Sequence, residues 1–152
     1  IYLKNHEQIN KMRHAGRITG EALPCGITTA ELDHIIRHYI EKCGAKPSFL
    51  GYGGFPGSAC ISINDEVIHG IPSKKRHLHE GDIVKIDVGA YIDGFHGVSA
   101  NTFPVGKVSD EALRLIAATK RGFELGVEAA VKEGARIGDV GAAVDGYVVS
   151  QG

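Results

Sequence analysis

The stretch Gly81–Gly106, GDIVKIDVGAYIDGFHGVSANTFPVG, sets a carboxylate where one needs a reason. Asp93-Gly94 is a two-residue turn signal, since Asp tolerates and Gly prefers the positive φ angles of a type I′ turn. That turn makes a β-hairpin in which Ile92 faces Phe95, Tyr91 faces His96, Gly89 faces Val98 and Asp87 faces Ala100. Side chains alternate across a strand, so Ile83, Lys85, Asp87 and Gly89 share one face with His96, Val98 and Ala100. Val84, Ile86, Val88 and Ala90 make the other face, apolar enough to be the core side. Asp is a poor β-former, and Asp87 stands in mid-strand. A second carboxylate at its diagonal neighbour, roughly 7–8 Å away between backbones, could share a pair of divalent metals with it. That neighbour is Val98. His96, on the same face, is the candidate for a substitute ligand. The plainer alternative pairs Asp87 with Lys85, two residues away.

Other residues able to do chemistry are less clearly placed. His34 and His38 have an i, i+4 spacing that can bind a metal, but they lack the Glu of an HExxH pair and lie off the apolar stripe, which suits a solvated face. His77 and His79 sit in a charged loop and read as surface. His69, taken alone, reads as an ordinary strand histidine. The run PSFLGYGGFPG, Pro47–Gly57, is too interrupted for a long strand. It reads as a loop presenting Phe49, Tyr52 and Phe55, either as packing or as the wall of a pocket.

The elements that must hold these residues can be read from periodicity. Glu7–Leu23 is amphipathic, with Ile9, Met12, Ala15, Ile18 and Ala22 on one stripe, and Pro24 and Gly26 end it. A second helix starts at Thr28, where Thr28 and Glu31 have capping-box spacing. Leu32, Ile35, Ile36, Tyr39 and Ile40 form its buried stripe, and Gly44 is its C-cap. Ala59–Ile63 and Val67–Ile71 read as short strands around an Asn64-Asp65 turn, and Lys74–Glu80 as a charged loop. Ser109 suits an N-cap, with Asp110 and Glu111 in the first turn of a helix running to about Glu133. A last helix runs from near Asp139 to the end.

An internal repeat is offset by 108 residues: Ala22–Gly44 aligns without gaps on Ala130–Gly152. Gly26 matches Gly134, Glu31 matches Asp139, Tyr39 matches Tyr147 and Gly44 matches Gly152. The order is then helix, helix, strands, followed by helix, helix, so the chain reads as one and a half units of a two-unit fold.

Composition bounds the rest. The chain has 152 residues, 43% hydrophobic and 23% charged, as expected for one domain with a sizeable core. A net charge of −1 gives no reason to expect nucleic acid or an anionic membrane as partner. Three cysteines, Cys25, Cys43 and Cys60, without CxxC spacing argue against a disulfide framework or a structural zinc site and suit a reducing cytosol. No apolar run has transmembrane length and no signal peptide is visible.

The run Ser48–Pro56, then CISINDEVIHGIP, then GDIVKIDVGAYIDGFHG, resembles type I methionine aminopeptidase, a metallopeptidase family with the pita-bread fold. The resemblance covers the family's first half and the first two helices of its second half. It implies an α+β chain over residues 1–152, a partial pita bread with a twisted antiparallel sheet and helices on one face. It implies a cytoplasmic hydrolase that removes N-terminal Met from new polypeptides through water activated by divalent metals (Co, Mn, Fe or Zn). By that resemblance Asp87 matches the first metal Asp, while Val98 stands where the family has the second, and the family's His and two Glu ligands lie beyond Gly152. His69 matches the histidine that contacts substrate near the scissile carbonyl. Phe49, Tyr52, Phe55 and Cys60 match the lining of the methionine slot, an apolar surface that sulfur packs well against. Asn101 stands where the family commonly has Arg. Two expectations result: a hydrolase left weak or inactive by its missing ligands, or a non-catalytic half-domain that binds peptide N-termini or self-associates through its uncovered sheet.

Overall fold

The structure, a computed structural model, describes residues 26–152. The helix expected over Glu7–Leu23, and Cys25, lie outside them. The described residues fall into two compact units that part between Val108 and Ser109.

The first unit is a helix on a four-stranded antiparallel sheet. Helix α1 spans Thr29–Lys42 and begins in the expected capping box. The Glu31 N–H donates to Thr28 Oγ1 at 3.1 Å, and the Thr28 N–H donates to Glu31 Oε2 at 2.8 Å. The helix ends in a Schellman turn: Gly44, at φ +76°, donates to the Glu41 carbonyl and Ala45 to that of Ile40. The buried face is narrower than the expected stripe. Thr29, Leu32 and Ile40 are buried and Ile36 partly so, whereas Ile35 and Tyr39 are 52% and 49% exposed. Positions 29, 32, 36 and 40 have the i, i+3, i+4 spacing of one face, and Ile35 and Tyr39 flank it.

The strands are β1 (Lys46–Pro47), β2 (Ala59–Ile63), β3 (Ile83–Ile92) and β4 (Phe95–Pro104). β3 is central. Along one edge it pairs with β4 through all ten residues, in the register read from the sequence, including Asp87 opposite Ala100 and Gly89 opposite Val98. Asp93 and Gly94 turn the hairpin at φ +53° and +85°. Along the other edge lie β1, opposite Ala90 and Tyr91, and β2, opposite Val84–Val88. The alternation falls as expected: Val84, Ile86, Val88 and Ala90 are buried with Leu32, Ile40, Ile61, Leu78 and Val105 in one core.

Val67–Ile71 is not a strand. Its backbone breaks at His69, φ +61°, and only Gly70 bonds to β2. The Ile61 N–H donates to the Gly70 carbonyl at 2.8 Å, and the Gly70 N–H donates to Ser62 Oγ at 3.0 Å. A Cβ on Gly70 would stand 2.1 Å from the Ile61 carbonyl oxygen, so this approach requires glycine. Asn64 does turn, at φ +53°, but it ties β2 to the start of β3: its Oδ1 accepts the Ile83 N–H and its Nδ2 donates to Asp82. The segment over Lys74–Glu80 is more than a charged loop. Leu78 is fully buried, and the backbone here bonds to residues 26–29.

The second unit is a helical hairpin of α2 (Asp110–Ala130) and α3 (Ile137–Ser150). Ser109 Oγ accepts the Ala112 N–H at 3.1 Å, the expected N-cap. Gly122 and Gly126 let the helices approach, since a Cβ on Gly126 would stand 2.8 Å from Val144 Cγ2. α3 starts two residues before Asp139, because Asp139 acts as a cap partner from the third helical position: its Oδ2 accepts the Arg136 N–H at 2.8 Å. The 108-residue repeat is thereby visible in the backbone. α1 and α3 have 14 residues each, at equivalent positions, with positive-φ glycines at 26 and 44 and again at 134 and 152.

Candidate functional site

On the face of the sheet opposite the core, Asp87 is held between two neighbours. Cys60 of β2 lies directly across from it on one side and Ala100 of β4 on the other. Direct cross-strand partners project to the same face with Cβ atoms about 4.5–5.5 Å apart, so Asp87 and Cys60 share one patch. Asp87 Oδ1 is buried and has no hydrogen-bond partner. The plainer alternative, a pairing with Lys85, is not made: the Lys85 ammonium bonds to the Asn64 carbonyl instead. Burial holds the Asp87 carboxyl above the usual carboxylate range, with the positive potential of His69 pulling the other way. Burial also pushes the Cys60 thiol up, and the Asp87 and Asp33 carboxylates add to that, so Cys60 contributes a small apolar surface and not a thiolate.

The aromatic loop reaches this patch through a break in the edge of the sheet. β1 ends beside Ala90, Ser48 donates to the Gly89 carbonyl at 2.8 Å, and pairing resumes only where Ala59 meets Val88. The intervening residues bulge outward. A Cβ on Gly89 would come within 2.8 Å of Phe49 Cε1, so the Phe49 ring occupies the space that a side chain at 89 would fill. Gly89 is two residues from Asp87 on the same face, so the Phe49 ring covers the same-face position next to the carboxylate along β3. Phe55 is half-buried, whereas Tyr52, in a single 3-10 turn over Tyr52–Gly54, is 81% exposed. Cys60, Asp87 and the Phe49 ring over Gly89 therefore share one face of the sheet, and the Tyr52 side chain is in solvent.

His69 is exposed and close enough to Asp87 to bear on its charge. Its φ of +61° lies in the left-handed region that a bulky L-residue rarely adopts. Such strain persists where the surroundings hold it, and the next residue, Gly70, is anchored to β2 on both its N–H and its carbonyl. His96 is already engaged: its Nδ1 lies 2.9 Å from Ser48 Oγ, and its ring stands 4.7 Å from that of Tyr91. Val98, on the Asp87 face, is 59% exposed and has no lone pair to offer. His34, His38, His77 and His79 are not buried, and among the described residues no three His, Cys, Asp or Glu side chains gather as a metal site.

One positioning residue has no signature in the sequence. Asp33 Oδ1 accepts the N–H groups of both Ser58 and Ala59, at 2.7 and 2.8 Å. It fixes the residue before Cys60 and thus the point where the loop rejoins the sheet. A carboxylate directly after the buried Leu32 is the only hint that sequence offers.

Known proteins bear on this arrangement. The profile of Metallopeptidase family M24 matches residues 9–152. A methionine aminopeptidase of Clostridium acetobutylicum is 50% identical across the whole chain, which spans 63% of that relative's length. Among solved structures, methionine aminopeptidase from Rickettsia prowazekii superposes with a TM-score of 0.89 at 36% identity, over 97% of this chain and 61% of that one. The Thermotoga maritima enzyme gives 0.90 at 34% identity, over 99% and 63%. These neighbours carry the expected pita-bread architecture, about three-fifths of which this chain spans. The chain belongs to metallopeptidase family M24.

Proposed function

We propose that this chain carries the substrate face of a methionine-aminopeptidase-type hydrolase, one that removes N-terminal Met from new polypeptides in the cytosol. The observation that carries the reading is the single patch formed by Asp87, Cys60 across the ladder from it, and Phe49 over Gly89. A carboxylate beside an apolar slot suits a free amino terminus on a residue with an unbranched thioether side chain. Phe55 is proposed to close that slot from the loop, and Tyr52 to fold onto it when a peptide is bound. His69, held in its turned backbone, is proposed to face the first peptide carbonyl, where an imidazole can donate to the oxygen as it gains charge.

The residues described do not fit the divalent metals that the family uses. Hard divalent ions take several oxygen or imidazole donors, and this face offers one orphaned carboxylate oxygen, with a valine at the diagonal position. The chain of residues 1–152 is therefore expected to release no Met. The test joins residues 1–152 to the remaining length of the Clostridium acetobutylicum relative, with Val98→Asp, and measures release from Met-Ala-Ser in manganese or cobalt against a chelator control. Chelator-sensitive release is expected. A folded but inert chimera would overturn the reading of this face.

A second reading is favoured by Val98 itself and by the exposed Val67, Ile68 and Ile71. On this reading the chain is a non-catalytic half-domain that binds peptide N-termini or self-associates through its apolar face. Sedimentation distinguishes these forms, and a cooperative, monodisperse monomer would count against self-association.

A further inference from the structure

We propose that Arg76 is a positioning residue for His69: its guanidinium joins the two limbs of the loop that carries the imidazole. The proposal rests on the reading of His69 as the group that faces the first peptide carbonyl, and it names what holds that group in place. The loop leaves β2 at Ile63 and carries His69 at φ +61°. Little apolar burial holds it, since Val67, Ile68 and Ile71 are exposed. Gly70 is bonded to β2 on both its N–H and its carbonyl, which fixes one point of the loop. Polar side chains supply the rest. Glu66, on the outgoing limb, folds back so that its Oε2 accepts the Ile63 N–H at 2.9 Å. The same oxygen accepts a hydrogen bond from Arg76 Nη2. Arg76 Nη1 donates to the Ile71 carbonyl at 3.2 Å, on the returning limb, two residues past His69.

The brace is tied to the core through the backbone of the same residue. The Arg76 carbonyl accepts the Thr29 N–H at 2.8 Å, and Thr29, the first residue of α1, is fully buried. Ser73 adds a second tie: its N–H donates to Thr29 Oγ1 at 2.9 Å. A guanidinium suits this task because its N–H groups fan out in one plane. One side chain thus reaches a carboxylate and a carbonyl at once, with charge assisting the first bond. An ammonium is a point charge without that fork. The pair with Glu66 is partly exposed, and ion pairs of that kind add little to global stability. Its effect is local instead. A loop with little buried apolar surface opens on its own, well below the free energy of whole-chain unfolding, and a link between its limbs makes that opening harder. Holding the loop shut keeps the imidazole in place before substrate arrives, which is what a preorganised donor requires.

The test is amide hydrogen exchange and histidine-ring NMR on the isotope-labelled 152-residue chain. In Arg76→Ala the N–H groups of Ile61 and Gly70, which bond the loop to β2, are expected to exchange about tenfold faster, the scale of one hydrogen bond to a charged group. The His69 ring resonances are expected to shift, while those of His34 on α1 and His96 on β4 stay. Ile86 and Val88 in β3 are expected to exchange at the original rate, and the urea midpoint is expected not to move. Arg76→Lys keeps the charge without the fork and is expected to exchange like the alanine variant. Unchanged exchange at Ile61 and Gly70, unmoved His69 resonances, faster exchange throughout the sheet, or full recovery with lysine would each overturn the proposal. Its failure is separable from failure of the hydrolase reading. In an active Val98→Asp chimera, Arg76→Ala is expected to lower kcat about tenfold with KM unchanged, and an active chimera whose kcat does not fall sinks this proposal alone. An inert chimera beside a loop that loosens in Arg76→Ala sinks the other.

Discussion

Asp33 Oδ1 accepts the Ala59 N–H at 2.8 Å, joining the first half of α1 to the first residue of β2. The same oxygen holds the N–H of Ser58, a residue with no exposed surface. Asp33→Ala leaves two interior N–H groups without an acceptor and is expected to cost about 2–3 kcal/mol in urea unfolding. Asp33→Asn keeps an acceptor and should recover part of that. In the alanine variant Cys60, one residue away, is expected to alkylate faster under native conditions.

His69 is held at φ +61°, a conformation worth about 1 kcal/mol of strain for a side chain of its size. Asn tolerates that region better. His69→Asn is therefore expected to leave the melting temperature unchanged or slightly raised. In the chimera carrying Val98→Asp, the same substitution is expected to reduce Met release by about 100-fold, the scale of one donor to a developing oxyanion. A large loss of stability would show that the imidazole has a packing role.

Gly70→Ala puts a methyl group 2.1 Å from the Ile61 carbonyl oxygen. Backbone must move on both sides, so the cost is expected to reach about 2 kcal/mol or more by denaturant titration. The damage should extend to the site, because the Gly70 anchor sets the His69 backbone.

Glu31 gives a pH signature. Hydrogen bonds from the Thr28 backbone and side chain hold its carboxyl below the usual range in the folded chain. A carboxyl with a lowered folded pKa adds stability above its unfolded pKa and loses it as pH falls through the folded one. Stability should thus decline on acidification through the carboxylate range, and Glu31→Gln should show a flatter decline when thermal melts are compared across pH.

Val98→Asp in the 152-residue chain, with nothing else changed, is expected to give no Met release in manganese or cobalt. It restores one donor to a face that, among the described residues, gathers no set of three metal-ligating side chains. Measurable chelator-sensitive hydrolysis by that variant would show that the described donors are enough.

The hairpin was legible because a two-residue turn and a period of two fix register together: once Asp93-Gly94 is placed, every pair from Ile92–Phe95 to Ile83–Pro104 is determined. The capping box at Thr28 and the Ser109 cap were legible for the same local reason. What was not legible depends on tertiary contact. The run Val67–Ile71 is rich in β-formers after a turn signal, yet its backbone breaks at His69 and only Gly70 reaches β2. Ile35 and Tyr39 are apolar enough for a core that the packed face of α1 does not extend to. Asp33 acts on N–H groups 25 and 26 residues away, which no local pattern encodes. At the candidate site, Cys60 pairs directly with Asp87 and the Phe49 ring packs over Gly89, whereas Tyr52 is turned into solvent by its 3-10 turn.

The β3–β4 ladder also sets an order of events. Its ten pairs close outward from a two-residue turn, so each new pair fixes only the next residues along, and loop-closure entropy is met in small steps. β2 must instead be brought in across the long crossing between Ile63 and Ile83, and α1 from farther still. As the chain emerges during synthesis, the hairpin needs nothing beyond Pro104 to begin zipping. The strand that bears Asp87 is thus the template on which the earlier residues, already made but waiting, find their place.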